Sequence, residues 1–258
     1  MTVPPLATPR LLPLGDAAWT VEFGDTIVPS LHARVMGFAR SLQNLHAENA
    51  LPGVGEWVPS FRSLTVYFDP LQTDAEQLAI TLLRIAGDST EVVAQGRRWH
   101  IPVCFGGAGG PDLDDLAQAS GLDADAVIAR MTATVFHVYM LGFMPGFPYM
   151  GGLPPEFSLP RLATPRKTVP ARSLAVTGNL CAIYPWESPG GWRLLGRTPV
   201  SLFDATDSQR PALFAPGDAA MWQAIDAETF HSMEAEAAHG QLDRTQFLVA
   251  EESPWPAP

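Results

Sequence analysis

Short stretches in which apolar positions alternate, or recur at helical spacing, cover the first part of the chain. Alternation predicts two strands within residues 10–23 and a further strand over residues 63–68. Apolar residues three and four positions apart predict one helix over residues 28–45 and a second over residues 71–85. Residues 90–95 are expected to form another strand. Helices that lie between strands able to pair antiparallel indicate an α+β arrangement.

The hydrophobic pattern changes at residue 96. Alternation over residues 99–105 predicts a strand, and the glycine loop 106–110 leads into a helix that we expect to begin at Pro111, a favoured first helical position. A short helix follows, with Asp123 as its expected N-cap. From residue 135 onward short strands and turns dominate, which favours a closed or nearly closed β-barrel. A last amphipathic helix is expected over residues 226–238.

These elements predict two domains and a tail. The fold class is α+β, with a ferredoxin-like sandwich over residues 1–95 followed by a β-barrel domain over residues 96–245. Within the first domain, Gly53 and Gly55 are expected to break the chain between the first helix and the next strand. The proline-rich end, residues 246–258, is expected to be a flexible tail.

Composition and charge narrow the classes of partner. The chain has 258 residues, of which 47% are hydrophobic, and a formal net charge of −11, which argues against nucleic acid as a partner. No apolar run approaches the length of a membrane span, and the N-terminal prolines do not suit a signal peptide. We therefore expect a cytoplasmic protein with no membrane partner. Two distant cysteines and six histidines without ligand spacing predict no disulfide framework and no metal site.

Residues 139–199 form a block rich in Gly, Pro, aromatic residues and Arg. Gly and Pro make such a block costly to order, so a rigid, shaped surface is expected. Between Arg161 and Arg197, six cations stand against the single acid Glu187. They are Arg161, Arg166, Lys167, Arg172, Arg193 and Arg197. The block predicts a site for an anionic small molecule or for a partner protein, and both alternatives stay open here.

The candidate anion contacts are Arg161, Arg166 and Arg197, because a guanidinium fork matches a carboxylate or phosphate with two hydrogen bonds. Residues 188–192 are predicted to form a tight turn between two strands. In this turn Ser188 could donate to an anion or simply close the turn, whereas Gly190 and Gly191 would let a ligand approach the backbone. The predicted pocket wall consists of Phe143, Pro145, Phe147, Trp192 and His137. His137 is a lone strand histidine that suits a structural role as well as a functional one.

Two other chemistries find no support in the sequence. The glycine loop 106–110 lacks the Lys-Ser/Thr of a phosphate-binding loop, and the helix after it begins with acidic residues that would repel phosphate, so we predict a turn. No Ser-His-Asp arrangement can be assembled, and we assign no catalytic residue.

Several long motifs resemble the KipI family, whose members are also known as the B subunit of 5-oxoprolinase or as allophanate hydrolase subunit 1. They are LGFMPGFPYMGGLP, PRLATPRKTVPA and IYPWESPGGWRLLGRTP, preceded by GVGEWVPSFRSLTVYFDP and IPVCFGGAGGPDLDDLA. The resemblance runs over most of residues 10–225. It implies a ferredoxin-like N-terminal domain, a cyclophilin-like β-barrel and an obligate partner, the KipA-type C subunit of 5-oxoprolinase.

The resemblance also implies an activity. Together with a LamB/YcsF-type A subunit, such pairs are credited with opening 5-oxoproline to glutamate, with ATP used by the complex. The expected function is therefore that of a non-autonomous subunit of a cytoplasmic ATP-dependent amidohydrolase. The alternatives are a regulatory protein that inhibits a sensor histidine kinase, a subunit of an allophanate- or urea-type amide enzyme, and a prolyl isomerase.

The chain departs from the family pattern at four positions. It has VPARS where members usually show VPAGS, so Arg172 replaces a glycine. Leu180 and Cys181 stand at the usual Gln and Thr, and Met131 stands at a usual His. Because leucine has neither a donor nor an acceptor, we expect the site to be altered in specificity or to serve chiefly for docking.

Overall fold

The computed structural model describes residues 8–89 and 96–250. The chain divides into two compact units, Met1–Gln95 and Gly96–Pro258. Within the described ranges, no helix is both long enough and apolar enough to cross a membrane.

The N-terminal unit is a four-stranded antiparallel sheet with two helices. Its elements are β1 (Arg10–Pro13), β2 (Ala18–Glu22), α1 (Pro29–Ala47), β3 (Val54–Pro59), β4 (Ser63–Phe68) and α2 (Ala75–Asp88). The strand order is β1-β2-β4-β3. Alternation buries Val21, Leu64 and Val66 of the sheet in one core with Phe38 and Leu82 of the helices.

Three expectations for this unit differ from the structure or cannot be compared with it. We expected Gly53 and Gly55 to separate α1 from the next strand. Gly53 has a positive φ (74°), but β3 begins directly after it, and Gly55 lies inside β3 at a bulge. Helix α2 begins at Ala75 rather than at Leu71, because the Asp74 side chain caps it by accepting from the Glu76 and Gln77 amides. The expected strand 90–95 lies outside the described residues, and the ferredoxin-like assignment stays a prediction.

The C-terminal unit is built on a closed seven-stranded barrel, which confirms the predicted β-barrel; its cyclophilin-like character stays a prediction. Its strands are β5 (Arg98–Phe105), β6 (Phe136–Leu141), β7 (Pro148–Gly151), β8 (Arg166–Val169), β9 (Ser173–Thr177), β10 (Leu180–Ile183), β11 (Ser188–Gly190), β12 (Arg193–Arg197) and β13 (Ala219–Ala224). Its helices are α3 (Leu113–Ser120), α4 (Ala124–Ala133) and α5 (Ala227–Ala238), with 3-10 turns at Gly107–Gly109, Pro155–Phe157 and Arg244–Phe247. The barrel order is β10-β7-β6-β13-β5-β12-β9, while β8 and β11 form a separate antiparallel pair.

Alternation along the barrel strands produces two apolar layers. Leu174 and Val176 of β9 point into the barrel core, whereas Ala175 between them belongs to a second cluster outside the barrel. Ala182 of β10 lies in the same outer cluster. Because these outward residues are small, the outer face of the barrel has room for a layer of aromatic rings.

The ends of three elements differ from expectation or refine it. Helix α3 begins at Leu113, after Asp112, rather than at Pro111. Asp123 is confirmed as the N-cap of α4, since its side chain accepts from the Ala126 amide at 2.7 Å. The start of the expected flexible tail is instead paired with β5, because the Val249 amide donates to the Arg98 carbonyl at 2.7 Å. The tail's last residues, 251–258, lie outside the described residues.

The glycine loop 106–110 forms a turn of 3-10 helix, as predicted, and packs against β12. The Gly106 amide donates to the Leu195 carbonyl at 2.9 Å. A Cβ atom at Gly110 would overlap the same Leu195 carbonyl oxygen. Glycine is therefore needed at position 110 for a close backbone approach and not for phosphate binding.

We predict that Gly110→Ala lowers the free energy of unfolding by about 1–3 kcal/mol, the usual cost of forcing an atom into a packed site. Urea denaturation followed by circular dichroism measures this change. The matched control is Gly87→Ala in α2, where an added Cβ meets nothing within 4 Å. Equal unfolding midpoints for the two variants would show that the loop can move away from β12.

Candidate anion-binding site

Four aromatic side chains pack together on the outer face of the barrel. This aromatic cluster consists of Phe147, Tyr149, Tyr184 and Trp192. Phe147 is central, with ring centroids 5.0 Å from Tyr149, 5.1 Å from Tyr184 and 6.0 Å from Trp192. The interplanar angles of Phe147 with Tyr184 and Trp192 are 87° and 89°, which are the edge-to-face contacts that aromatic rings favour. The cluster is therefore a rigid apolar platform.

The backbone of β11 fixes the Tyr184 side chain. The Trp192 backbone hydrogen-bonds the Tyr184 hydroxyl, and a Cβ atom at Gly190 would overlap that hydroxyl oxygen. Ser188–Gly190 is a strand paired with β8, so the predicted tight turn at this position is wrong. Pro and Gly favour turns when only local sequence is considered. Here the conformation is decided by pairing with the distant strand β8, in which Arg166 lies opposite Gly190.

Both tyrosines of the cluster keep their protons at neutral pH. Burial raises the pKa of Tyr184, although the Arg161 charge acts in the opposite direction. Burial also raises the pKa of Tyr149, again opposed by Arg161. Both phenols are therefore neutral and within the electrostatic reach of one guanidinium, but Tyr184 is buried and Tyr149 is the one that is partly exposed.

Arg161 lies at the edge of the cluster and is exposed to solvent. Its guanidinium carbon is 6.0 Å from the centroid of the Trp192 ring. The next residue anchors the segment, since the Leu162 amide donates to the Gly191 carbonyl at 2.7 Å. Among the residues that the structure describes, Arg161 has no acidic partner. Its charge is thus available to an anion that rests against the rings.

Arg166, also predicted as an anion contact, already has a carboxylate. Its Nη2 lies 2.6 Å from Oδ1 of Asp112, and its Nη1 donates to the Trp192 carbonyl at 3.4 Å. Asp112 is buried, and its Oδ2 accepts from the Leu194 amide at 2.6 Å. The buried carboxylate therefore joins β8 to β12, and Arg166 supports the platform on which Arg161 rests.

Arg197, the third predicted contact, lies with α5 and not in the aromatic cluster. Its Nη2 is 3.4 Å from Oε1 of Glu234, which also binds Nη2 of Arg172 at 2.5 Å. Arg193 lies 3.9 Å from Asp115. Three acids from distant parts of the chain therefore pair with four of the six cations, although the block itself contains a single acid.

The other predicted residues are more scattered. Phe143 is 64% exposed and has a positive φ (67°). Its ring centroid lies 5.5 Å from that of Phe147. Pro145 is exposed in the same turn. The Ser188 hydroxyl oxygen is buried and has no hydrogen-bond partner within the described ranges. His137 lies on β6, 4.8 Å from Tyr139 between ring centroids, and burial lowers its pKa against the effect of Asp218.

Sequence reasoning left three residues of this region out of the predicted site. They are Tyr149, Tyr184 and Asp112. For Tyr149 the sequence contained a signal, because it is two positions from the predicted Phe147 and strand alternation places both on one face. Tyr184 and Asp112 gave no comparable signal. Their roles depend on contacts with Trp192 and Arg166, which pairing between distant strands creates.

The departures from the family pattern fall in different environments. Met131 and Cys181 are buried in the barrel core, and burial raises the pKa of the Cys181 thiol. Leu180 instead packs against the aromatic cluster. Of these three, only Leu180 changes the chemistry beside the candidate site, where it adds an apolar wall.

In residues 8–89 and 96–250, no group of three or more His, Cys, Asp or Glu residues is arranged to hold a metal ion. The chemistry that the site can supply is recognition of an anion by the exposed Arg161 beside the partly exposed Tyr149 ring.

We predict that Asp112→Asn lowers the free energy of unfolding by about 3–5 kcal/mol, because it leaves the Arg166 charge without its buried partner. Thermal or urea denaturation measures the loss. Asp115→Asn is the matched control, since the side chain of Asp115 is 68% exposed and an exposed pair contributes little. A similar, small effect of both variants would contradict the structural role of Asp112.

Comparison with known proteins places the chain in a family. Residues 9–214 match the family model described as carboxyltransferase domain, subdomain C and D. The B subunit of 5-oxoprolinase from Bacillus subtilis (strain 168) is 34% identical over 238 residues, which make up 87% of this chain and 96% of that protein.

Solved structures agree with this match. The crystal structure of TTHA0988 is similar with a TM-score of 0.70 and 32% identity, over 81% of this chain and 40% of that longer chain. The K. lactis urea amidolyase shares the fold, with a TM-score of 0.76 at 18% identity over 93% of this chain and 17% of that chain. Because the family model covers residues 9–214 and the B. subtilis protein matches almost from end to end, the chain belongs to the KipI family of 5-oxoprolinase B subunits.

Proposed function

We propose that this chain is one subunit of an ATP-dependent amide hydrolase complex that opens 5-oxoproline to glutamate. The observation that carries the proposal is the match to the 5-oxoprolinase B subunit of B. subtilis over 96% of that protein. The complex works in the cytoplasm and uses ATP. We assign no ATP-binding residue to this chain.

The geometry beside the aromatic cluster supports a substrate-recognition role for this subunit. 5-Oxoproline carries one carboxylate on a small planar ring. In our proposal the Arg161 guanidinium binds that carboxylate, since its charge has no acidic partner in the described part of the chain. The partly exposed Tyr149 ring provides a face against which a small ring can pack, and the buried Trp192 ring beneath Arg161 supports the guanidinium.

Partner subunits complete the proposed complex. We assign no catalytic residue to this chain, and in our proposal the groups that activate the amide belong to its partners. We propose the KipA-type C subunit as the obligate partner and the LamB/YcsF-type A subunit as the third component. The exposed Phe143, beside the cluster, suits an aromatic anchor at the edge of such an interface.

The direct test combines this chain with its KipA-type and LamB/YcsF-type partners and measures glutamate released from 5-oxoproline together with ATP hydrolysis. The proposal expects both activities with all three subunits and neither without this chain. Absence of turnover by the full complex, while a B. subtilis complex is active in parallel, would overturn it.

We predict that Arg161→Gln raises KM for 5-oxoproline by about tenfold to a hundredfold with a smaller change in kcat, because it removes a charge-assisted hydrogen bond of about 1.5–3 kcal/mol. Arg161→Lys keeps the charge but not the two-pronged geometry and should recover only part of the affinity. Steady-state kinetics of the reconstituted complex measure both.

The matched control is Lys167→Gln, which removes a charge of the same sign from an exposed position of β8. It should leave KM almost unchanged. Equal increases in KM for both variants would mean that the general positive field, and not a contact with Arg161, attracts the substrate.

A second candidate follows from the name of the matching family model, carboxyltransferase domain. A urea- or allophanate-type amide enzyme would use the same fold with a neutral or ureido substrate. In the same assay, ATP hydrolysis stimulated by urea, which is neutral, and insensitive to Arg161→Gln would favour this candidate over the first.

A further inference from the structure

A second group of cations lies where α5 crosses the end of β12. This two-arginine cluster consists of Arg172, Arg197 and the carboxylate of Glu234 between them. Oε1 of Glu234 lies 2.5 Å from Nη2 of Arg172 and 3.4 Å from Nη2 of Arg197. One carboxylate oxygen thus faces two guanidinium groups, and the cluster has one positive charge in excess.

The two guanidinium groups are held by contacts that do not involve Glu234. Nη1 of Arg172 donates to the Pro199 carbonyl at 3.0 Å, and Nε of Arg197 donates to the Ala171 carbonyl at 3.2 Å. Because backbone carbonyls orient both guanidinium groups, the two groups would still face the position of the Glu234 carboxylate if Glu234 moved away. This arrangement is that of a preformed anion site.

The backbone of Arg172 is in a conformation that ordinary residues avoid. Its φ is +66°, in the left-handed region, which residues with a side chain adopt only at a cost in energy. The backbone is held there by the Arg172 amide, which donates to the Tyr184 carbonyl at 2.5 Å. Strained backbone of this kind is found disproportionately at ligand clamps, and here it presents an arginine where the family pattern has glycine.

Electrostatics show that the cluster is not fully compensated. Burial lowers the pKa of Arg172; the Glu234 carboxylate opposes this shift, and the charge of Arg197 adds to it. The two side chains are 20% and 26% exposed, so solvent screens their repulsion only in part. A second negative oxygen near both forks would therefore be favourable.

The helix that supplies Glu234 is weakly attached. Among the twelve residues of α5, Phe230 is the one buried side chain, and its ring lies 5.5 Å from the Arg197 guanidinium carbon. An element with so little buried apolar surface opens at low free-energy cost. Glu234 is 32% exposed and can leave with the helix.

We propose that the two-arginine cluster is a carboxylate-binding site, which Glu234 occupies in the free chain and which a small carboxylate ligand opens by displacing α5. One carboxylate of the ligand replaces Glu234 between the forks of Arg172 and Arg197. The site is separate from Arg161 and does not depend on the proposed 5-oxoprolinase activity.

Titration calorimetry of the full chain with succinate tests the site. A tethered carboxylate competes at a millimolar effective concentration, so Glu234→Gln should bind succinate about tenfold or more tightly than the unaltered chain. Adding Arg172→Gly to Glu234→Gln should abolish this gain. Glycine suits the positive φ, so this variant is expected to fold, and its melting curve verifies that.

Two further results locate the binding. Arg161→Gln in the Glu234→Gln chain should leave succinate affinity unchanged, and saturating succinate should increase hydrogen exchange of residues 227–238 in the unaltered chain. Equal affinity of the unaltered chain and Glu234→Gln would overturn the proposal. Loss of binding through Arg161→Gln instead of Arg172→Gly would do the same.

Discussion

The buried carboxylate of Asp112 is the interaction on which the surroundings of the candidate site depend. One oxygen binds Arg166 of β8, and the other accepts from the Leu194 amide of β12. The Asp112 amide also donates to the Leu194 carbonyl, so the residue joins the start of α3 to the barrel. Since Arg166 in turn donates to the Trp192 carbonyl, this single acid positions the strand pair β8–β11 and the aromatic ring over which Arg161 lies.

The distribution of charge follows from the same kind of contact. Asp112 neutralises Arg166, and Glu234 is shared by Arg172 and Arg197. A block that is strongly cationic along the chain thereby becomes two separate features in space. One is the free guanidinium of Arg161 beside aromatic rings, and the other is a pair of arginines that share one carboxylate. The first suits substrate recognition in a 5-oxoprolinase-type complex, and the second suits a ligand that competes with α5.

Local pattern was sufficient for much of the fold but not for the site. Hydrophobic period predicted α1, β4 and α5 closely, and the Asp123 cap located the start of α4, because those signals are contained in the elements themselves. Strand β11 was not predicted, since its Ser-Pro-Gly sequence favours a turn and only pairing with β8 makes it a strand. The roles of Arg166 and Arg197 could not be predicted, because their acidic partners are 54 and 37 residues away along the chain.

The central claim is that Arg161 is the one predicted anion contact that, within the described residues, forms no ion pair, whereas Arg166 and Arg197 each pair with a carboxylate. Brief labelling of the folded chain with the arginine reagent phenylglyoxal, followed by peptide mass spectrometry, measures the accessibility of each guanidinium group. The account predicts that Arg161 is modified first and that Arg166 and Arg197 react much more slowly, as members of ion pairs. Modification of Arg166 or Arg197 at the same rate as Arg161 would contradict it.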